Sequence, residues 1–238
     1  MTRSWKGTAK RWRKSLVLIA LCLTPCAMAV GVMAQRIPVS PADVNRIEAE
    51  LSEFTGAPRN PDDPFVVASI REAIAGSRGG SGGIGACLVR EATGEIVELG
   101  HNRQYSPHFR SDLHAEMDLL DRYEDRVRTS RSSLGPGVNP RQMYQGLVLY
   151  SSLEPCPMCT ARIINTGITR VLFAAPDPEG GMALRIDALP PFWRDLAAGT
   201  TFALARNSPR LTEMAATLFG HAAPVTIKTQ PPAASGQK

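Results

Sequence analysis

Two short stretches of the sequence, "HAE" and "PCPMC", constrain the possible folds most strongly because their side chains are ones that bind zinc. The first holds His114 and Glu116, and the second holds Cys156 and Cys159. One imidazole and two thiolates supply three protein ligands. Three ligands with an open fourth position are typical of catalytic zinc, whereas structural zinc usually has four. The fold must therefore bring together two segments that are distant in the chain.

Each stretch lies at the predicted start of a helix. Apolar residues recur at helical spacing over residues 113–128, with Ser111 or Asp112 as the predicted cap. Residues 155–167 predict a second helix that ends at Gly167. The free N–H groups and the positive dipole end of a helix N-terminus stabilise thiolates and a metal-activated water. Both ligand groups are thus predicted where a catalytic metal is electrostatically favoured.

The rest of the chain alternates strands with helices, which is typical of an α/β layered fold. A hairpin is predicted around the turn "EATGE", within residues 84–102, and a helix is predicted over residues 65–77. Residues 182–222 predict a helix or strand pair followed by a terminal helix. The remaining predictions are strands within 146–154 and 168–181, a polar loop over 129–143 and a short amphipathic helix after Ser40.

The N-terminal residues 1–34 have the pattern of an export signal peptide. Residues 1–34 hold six basic residues and no acidic residue, and their apolar run, residues 15–34, contains small-residue cleavage sites at Ala27–Met28–Ala29 and, less well, at Val32–Met33–Ala34. An uncleaved membrane anchor is the alternative, because the run approaches the roughly 20 apolar residues that span a bilayer. We expect an exported protein, in the bacterial periplasm, with no stable membrane span after cleavage.

The basic net charge of +5 belongs to this leader. Without residues 1–34 the chain has 21 basic and 22 acidic residues, a net charge of −1. Nucleic acid is therefore not expected as a partner, because polynucleotide-binding domains carry a basic surface. The basic cluster of Arg122, Arg126, Arg128 and Arg131 has acidic neighbours, which predicts a solvated helix face.

The order and spacing of His114, Glu116, Pro155, Cys156 and Cys159 resemble the zinc-dependent cytidine and deoxycytidylate deaminase superfamily, whose signature is H-x-E followed by P-C-x-x-C. "LEPCPMC" is most similar to the branch that contains tRNA-adenosine, guanine and cytosine deaminases. The resemblance implies a three-layer α/β/α sandwich with a mixed sheet of about five strands. It also implies Zn2+ as the cofactor and a possible homodimer.

Residue roles follow from the same resemblance. His114, Cys156 and Cys159 match the zinc ligands, and Glu116 matches the residue that shuttles protons between the metal-activated water and the substrate. Asn102, in "GHN", matches an asparagine that hydrogen-bonds the substrate. The backbone around Ala115 and Ser152 is expected to contact the exocyclic amino group and the ring edge. The implied domains are an N-terminal extension (35–63), a deaminase domain (64–222) and a disordered tail (223–238).

The predicted function is that of an exported zinc-dependent hydrolase acting on C–N bonds of cyclic amidines: a deaminase of a free nucleobase or nucleoside. One alternative is a tRNA or polynucleotide deaminase of adenosine or cytosine. Another is an inactive, zinc-stabilised binding module, although such a module would have little need for Glu116. A redox role for the C-x-x-C pair would leave His114 and Glu116 unexplained.

Overall fold

The computed structural model describes residues 39–56, 59–130 and 139–220. The predicted signal peptide (1–34) and tail (223–238) lie outside these residues. Six helices are described: α1 (Pro41–Ser52), α2 (Asp63–Arg78), α3 (Ala115–Ser130), α4 (Pro157–Thr166), α5 (Pro191–Ala197) and α6 (Pro209–Phe219). The described strands are β1 (Gly85–Arg90), β2 (Glu95–His101), β3 (Leu147–Leu153), β4 (Arg170–Ala175) and β5 (Thr201–Leu204). Short 3-10 helices cover Pro140–Tyr144 and Ala183–Ala188.

The strands form one mixed sheet in the order β2-β1-β3-β4-β5. β1 pairs antiparallel with β2 and with β3, whereas β3–β4 and β4–β5 are parallel. The hairpin β1–β2 and the mixed five-stranded sheet confirm the predicted fold class. Every residue of β3 is buried, as expected for a central strand with helices on both faces.

Helices cover both faces of the sheet, which gives the predicted three layers. α2 and α6 pack on one face, and α1 packs on them from outside, while α3 packs on β1 and β2 and also contacts α4. Two successive residues of β3 show that α2 and α3 lie on opposite faces. The ring of Tyr150 packs on Phe65 of α2, and the hydroxyl of Ser151 contacts Glu116 of α3.

Helix α3 comes unusually close to strand β2 at Gly100. A Cβ atom at this position would lie 2.6 Å from the backbone nitrogen of Leu119. Since no side chain fits in that space, the glycine fixes how closely the start of α3 approaches the end of β2. These are the elements that carry Glu116 and lead into Asn102, so the close contact positions the site.

The predicted start of α1 is confirmed, whereas the predicted start of α3 is not. Ser40 caps α1, and its hydroxyl accepts from the Asp43 N–H at 3.1 Å. The prediction that Ser111 or Asp112 caps α3 is wrong, because this helix begins at Ala115. The Asp112 carboxylate instead accepts hydrogen bonds from the Arg110 guanidinium at 2.7 and 2.8 Å. His114 is consequently the residue directly before the helix.

The structure defines two further segments more closely than their sequence patterns do. Residues 182–222 contain a 3-10 helix, α5, β5 and α6, so the undecided pair is a helix followed by an edge strand. The predicted loop 129–143 begins within α3, which continues to Ser130, and ends in a 3-10 helix; residues 131–138 lie outside the described part. No helix of the described residues is long and apolar enough to cross a membrane.

Candidate metal centre and substrate cleft

Three side chains from two helix starts converge on one point. The Cys156 Sγ lies 3.6 Å from the Cys159 Sγ and 3.6 Å from the His114 Nδ1, and the Cys159 Sγ lies 3.7 Å from the same nitrogen. Among the described residues, these three side chains are close enough together to bind one metal ion. Both cysteines are free, so this pair is not a disulfide.

The three distances fit a zinc ion. With Zn–S bonds of about 2.3 Å and Zn–N bonds of about 2.05 Å, the edges of a tetrahedron are about 3.8 Å between two sulfurs and about 3.6 Å between sulfur and nitrogen. The observed edges agree with these lengths to within about 0.2 Å, the tolerance expected of a metal site. The donor set is also one that zinc prefers, and Zn2+ is the cofactor it implies.

Local backbone structure holds the ligands at the helix starts. Cys156 is the N-cap of α4 in an extended conformation, with φ −69° and ψ 172°, and Cys159 lies in the first turn. The Cys156 carbonyl accepts from the Thr160 N–H at 2.8 Å, and the Thr160 hydroxyl donates to the Pro155 carbonyl at 3.1 Å. The His114 carbonyl accepts from the Asp118 N–H at 2.9 Å, which begins α3.

The pKa values of the two thiols are shifted in opposite directions. Hydrogen bonds from the Cys159 thiol and from His114 lower the pKa of Cys156 to about 4 despite its partial burial. The hydrogen bond to Cys156 and burial raise the pKa of Cys159. The Cys156 thiolate also raises the pKa of His114 through their hydrogen bond. A lowered pKa favours the thiolate of Cys156, which is the form of cysteine that binds metal.

Glu116 lies beside the ligands in a fully enclosed position. Its side chain is 3% exposed, and the hydroxyl of Ser151 donates to its Oε1 at 2.9 Å. Burial, followed by the nearby Cys156 thiolate, raises the pKa of this carboxyl. The carboxylate is also within hydrogen-bonding reach of Cys159. A buried carboxyl with a raised pKa next to a metal centre is suited to accept and return a proton.

Glu154 links the loop that follows β4 to the turn that carries the cysteines. The sequence analysis did not predict this role. Its buried carboxylate accepts from the Asp177 N–H at 3.0 Å and from the Leu184 N–H at 2.9 Å. One residue further on, the Pro155 carbonyl accepts from the Met182 N–H at 2.9 Å. Asp177 itself accepts from the N–H groups of Glu179 and Gly180 and so shapes the turn that Glu154 holds. Hydrogen bonds from residues 177–184 therefore hold the turn that carries the cysteines.

A cleft with a volume of about 1000 Å³ opens next to the metal centre. His114 and Asn102 both line it, together with the glycine-rich loop 80–83. The Asn102 Oδ1 accepts from the Gln104 N–H at 2.9 Å, which orients the side-chain amide. A Cβ atom on Gly82 would lie 3.1 Å from the Asn102 Nδ2, so the glycine leaves space beside that nitrogen.

The other residues singled out from the sequence lie in different settings. Ala115 and Ser152 are both 0% exposed, and the Ser152 hydroxyl accepts from the Gly85 N–H at 3.1 Å. Neither belongs to the described lining of the cleft. The sequence analysis predicted no role for the side chain of Ser151, which bonds to Glu116. Its position directly before Ser152, on a buried strand, is the one sequence feature that points to the site.

Comparison with known proteins gives a consistent family match. The profile of the cytidine and deoxycytidylate deaminase zinc-binding region matches residues 60–175. The chain is 34% identical to the tRNA-specific adenosine deaminase of Bacillus subtilis over 120 residues, which cover 50% of this chain and 65% of the relative. It is 31% identical to the protein of the same name from Aquifex aeolicus over 119 residues, or 49% of this chain and 68% of the relative.

Among the matching solved structures is the guanine deaminase of Nitrosomonas europaea, with a TM-score of 0.46 and 18% identity. The match covers 78% of this chain and 94% of that protein. Because the match to the Bacillus relative spans less than two thirds of its length, the activity of that relative does not transfer directly. The profile match includes all three residues of the metal centre and Glu116.

Proposed function

Because the chain belongs to the zinc-dependent cytidine and deoxycytidylate deaminase superfamily, we propose that it is a hydrolytic deaminase of a free nucleobase or nucleoside. The observation that carries the proposal is the triangle of His114, Cys156 and Cys159 with the buried carboxyl of Glu116 beside it. The overall reaction replaces an amino group on a ring carbon by an oxygen from water and releases ammonia.

The residues of the chain divide this work between binding and proton transfer. His114, Cys156 and Cys159 would hold zinc, which would supply Lewis-acid chemistry that makes a water a better nucleophile at neutral pH. Glu116 would accept one proton from the attacking water and donate it to the ring nitrogen, and it would then accept the second proton of the added oxygen and donate it to the departing amine. Ser151 holds the carboxylate in one orientation through the 2.9 Å hydrogen bond. Asn102 offers its NH2 group to the substrate, since its oxygen is already bonded to Gln104.

The charge of the cleft favours a neutral small molecule as substrate. Among the described residues that line it, Arg78 is the single permanently charged side chain. Its guanidinium pairs with Glu48, with one bond at 2.9 Å, and also donates to Asn45. This cation is therefore already neutralised and is not a ready site for a phosphate group. A polynucleotide or a nucleotide would find little electrostatic attraction here.

A tRNA substrate is the second candidate, because the two relatives described above are tRNA-specific adenosine deaminases. The basic residues on α3 that could bind a phosphate backbone have acidic partners. Arg122 pairs with Asp118 at 3.0 Å, and Arg128 pairs with Asp125 at 2.7 Å. Arg126 pairs with Glu98 at 2.9 Å. These pairs reduce the positive potential of the helix and favour the small-molecule substrate.

The proposal is tested by measuring ammonia release from guanine, cytosine, adenine, their nucleosides and nucleotides, and tRNA transcripts. We expect turnover of a free base or nucleoside, at least 100-fold lower in Glu116→Gln while zinc content stays at one per chain. Inosine formation in tRNA, with no turnover of small molecules, would establish the second candidate. Absence of zinc from the purified protein would refute the assignment altogether.

We also propose that residues 1–34 direct export to the periplasm, on the basis of their basic start, apolar run and small-residue site. Fractionation of cells that express the full chain tests this. The expected result is a shortened protein in the periplasmic fraction, with its new N-terminus after Ala29 or Ala34. A full-length protein in the cytosolic or the membrane fraction would refute it.

A further inference from the structure

The cleft is larger than the ring on which the proposed reaction takes place. Its volume of about 1000 Å³ lies at the upper end of the range for small-molecule sites, about 300–1,000 Å³. A flat heterocycle next to His114 and Asn102 would fill the part of the cleft near the metal centre. The remaining volume extends along α1 and the last turn of α6, where Asn45 and Phe219 line it.

The outer wall of the cleft comes from segments on either side of the family match. Residues 39–45 and the end of α6 line the cleft, whereas the deaminase profile covers residues 60–175. α1 packs against both α2 and α6 through the buried side chains of Val44, Ile47 and Leu51. Ion pairs of Arg78 with Glu48 and of Arg210 with Glu50 add to this attachment. The wall is therefore an integral part of the folded domain.

The chemistry of this wall is mainly apolar. Its partly or fully exposed apolar side chains are Val39, Pro41 and Phe219, backed by the buried Val44 and Leu218, and Tyr105 stands at the rim with 58% of its surface exposed. The Tyr105 ring packs on Phe109 at a centroid distance of 5.7 Å, and its N–H donates to Ser81 of the glycine-rich loop. An exposed aromatic ring held in place at a cleft entrance is a surface on which an apolar or aromatic group can pack.

We propose that the substrate is a heterocyclic amine that carries an uncharged, partly apolar substituent, bound between α1, the end of α6 and Tyr105. The proposal rests on the proposed function, since it assigns the ring of the substrate to the metal end of the cleft. Size, the apolar wall and the neutralised Arg78 all support it. A bare nucleobase would leave the apolar wall in contact with water, whereas a substituted one would bury it.

Binding is measured by calorimetry with zinc-loaded Glu116→Gln, which separates recognition from turnover. The probes are cytosine, adenine and guanine, their N1- or N9-benzyl derivatives, and the corresponding 5′-nucleotides. We expect at least one benzyl derivative to bind about tenfold or more tightly than its parent base, as hydrophobic pockets achieve for added apolar groups. Equal or weaker binding of every benzyl derivative, or tighter binding of the nucleotides, would overturn the proposal.

A matched pair of substitutions on α1 locates the effect. Asn45 and Ala49 are both exposed on this helix, but only Asn45 belongs to the described lining of the cleft. Asn45→Trp places a large side chain in the outer cleft, and Ala49→Trp adds the same group outside it. We expect Asn45→Trp to reduce benzyl-derivative affinity at least tenfold relative to Ala49→Trp. Similar affinities in both variants would contradict the assignment of this wall.

The outcomes distinguish this inference from the proposed function. Ammonia release from small molecules with no preference for substituted rings would refute the inference and leave the proposed function standing. Preferential binding of benzyl derivatives, without ammonia release from these or from any base or nucleoside tested, would support the cleft assignment and refute the proposed reaction.

Discussion

Replacement of Glu154 by alanine removes one buried carboxylate that accepts two backbone hydrogen bonds. The Asp177 N–H, in a buried bond, and the Leu184 N–H, in a partly buried one, lie 3.0 and 2.9 Å from its oxygens. A buried N–H left without a partner costs about 1–3 kcal/mol and a partly buried one less, so the substitution should lower the free energy of unfolding by about 1–4 kcal/mol. That is a large part of the roughly 5–15 kcal/mol that stabilises a typical domain.

The assay is urea denaturation of the zinc-loaded protein, followed by circular dichroism. Glu154→Gln should cost less than Glu154→Ala, because the amide oxygen still accepts one of the two bonds. Glu179→Ala is the matched control, since Glu179 is an exposed glutamate in the same loop. It should change the free energy of unfolding by less than about 0.5 kcal/mol. A loss below 1 kcal/mol in Glu154→Ala would refute the role given to this carboxylate.

Three other predictions concern the site and the fold. Ser151→Ala should lower kcat by about 10- to 100-fold without loss of zinc, because a hydrogen bond to a charged group contributes about 1.5–3 kcal/mol; unchanged kcat would exclude the orienting role. Gly100→Ala should lower the melting temperature by several degrees, since its Cβ would lie 2.6 Å from the Leu119 nitrogen; an unchanged Tm would show that α3 shifts freely. Cys156→Ser should abolish stoichiometric zinc binding in elemental analysis, because the thiolate of lowered pKa is lost, and retention of one zinc per chain would contradict the ligand assignment.

The sequence predicted the elements that carry the metal ligands because their patterns are local. Apolar spacing marked α3 and α4, and an unbroken apolar run marked the central strand β3. The chemistry of one histidine and two cysteines then required the two helix starts to meet. The structure brings these atoms to within 3.6–3.7 Å of one another.

What the sequence did not predict depends on contacts between distant residues. The cap of α3 was placed too early because the competing pair of Asp112 with Arg110 is not part of any helix pattern. The role of Glu154 was not predicted, because its hydrogen-bond partners come from a loop more than twenty residues later. The wall formed by α1 was missed for the same reason. A short amphipathic helix predicts that one face is buried, but not which cavity its edge will border.

The division of the cleft between a metal end and an outer wall has an evolutionary consequence. The ligands and Glu116 lie within residues 60–175, while Val39, Asn45 and Phe219 lie before and after that segment. Substitutions at the two flanks can accumulate without disturbing the reaction centre, so substrate range can diverge while the chemistry is retained. A combinatorial library confined to these three positions would be a direct route to deaminases with new substrate preferences.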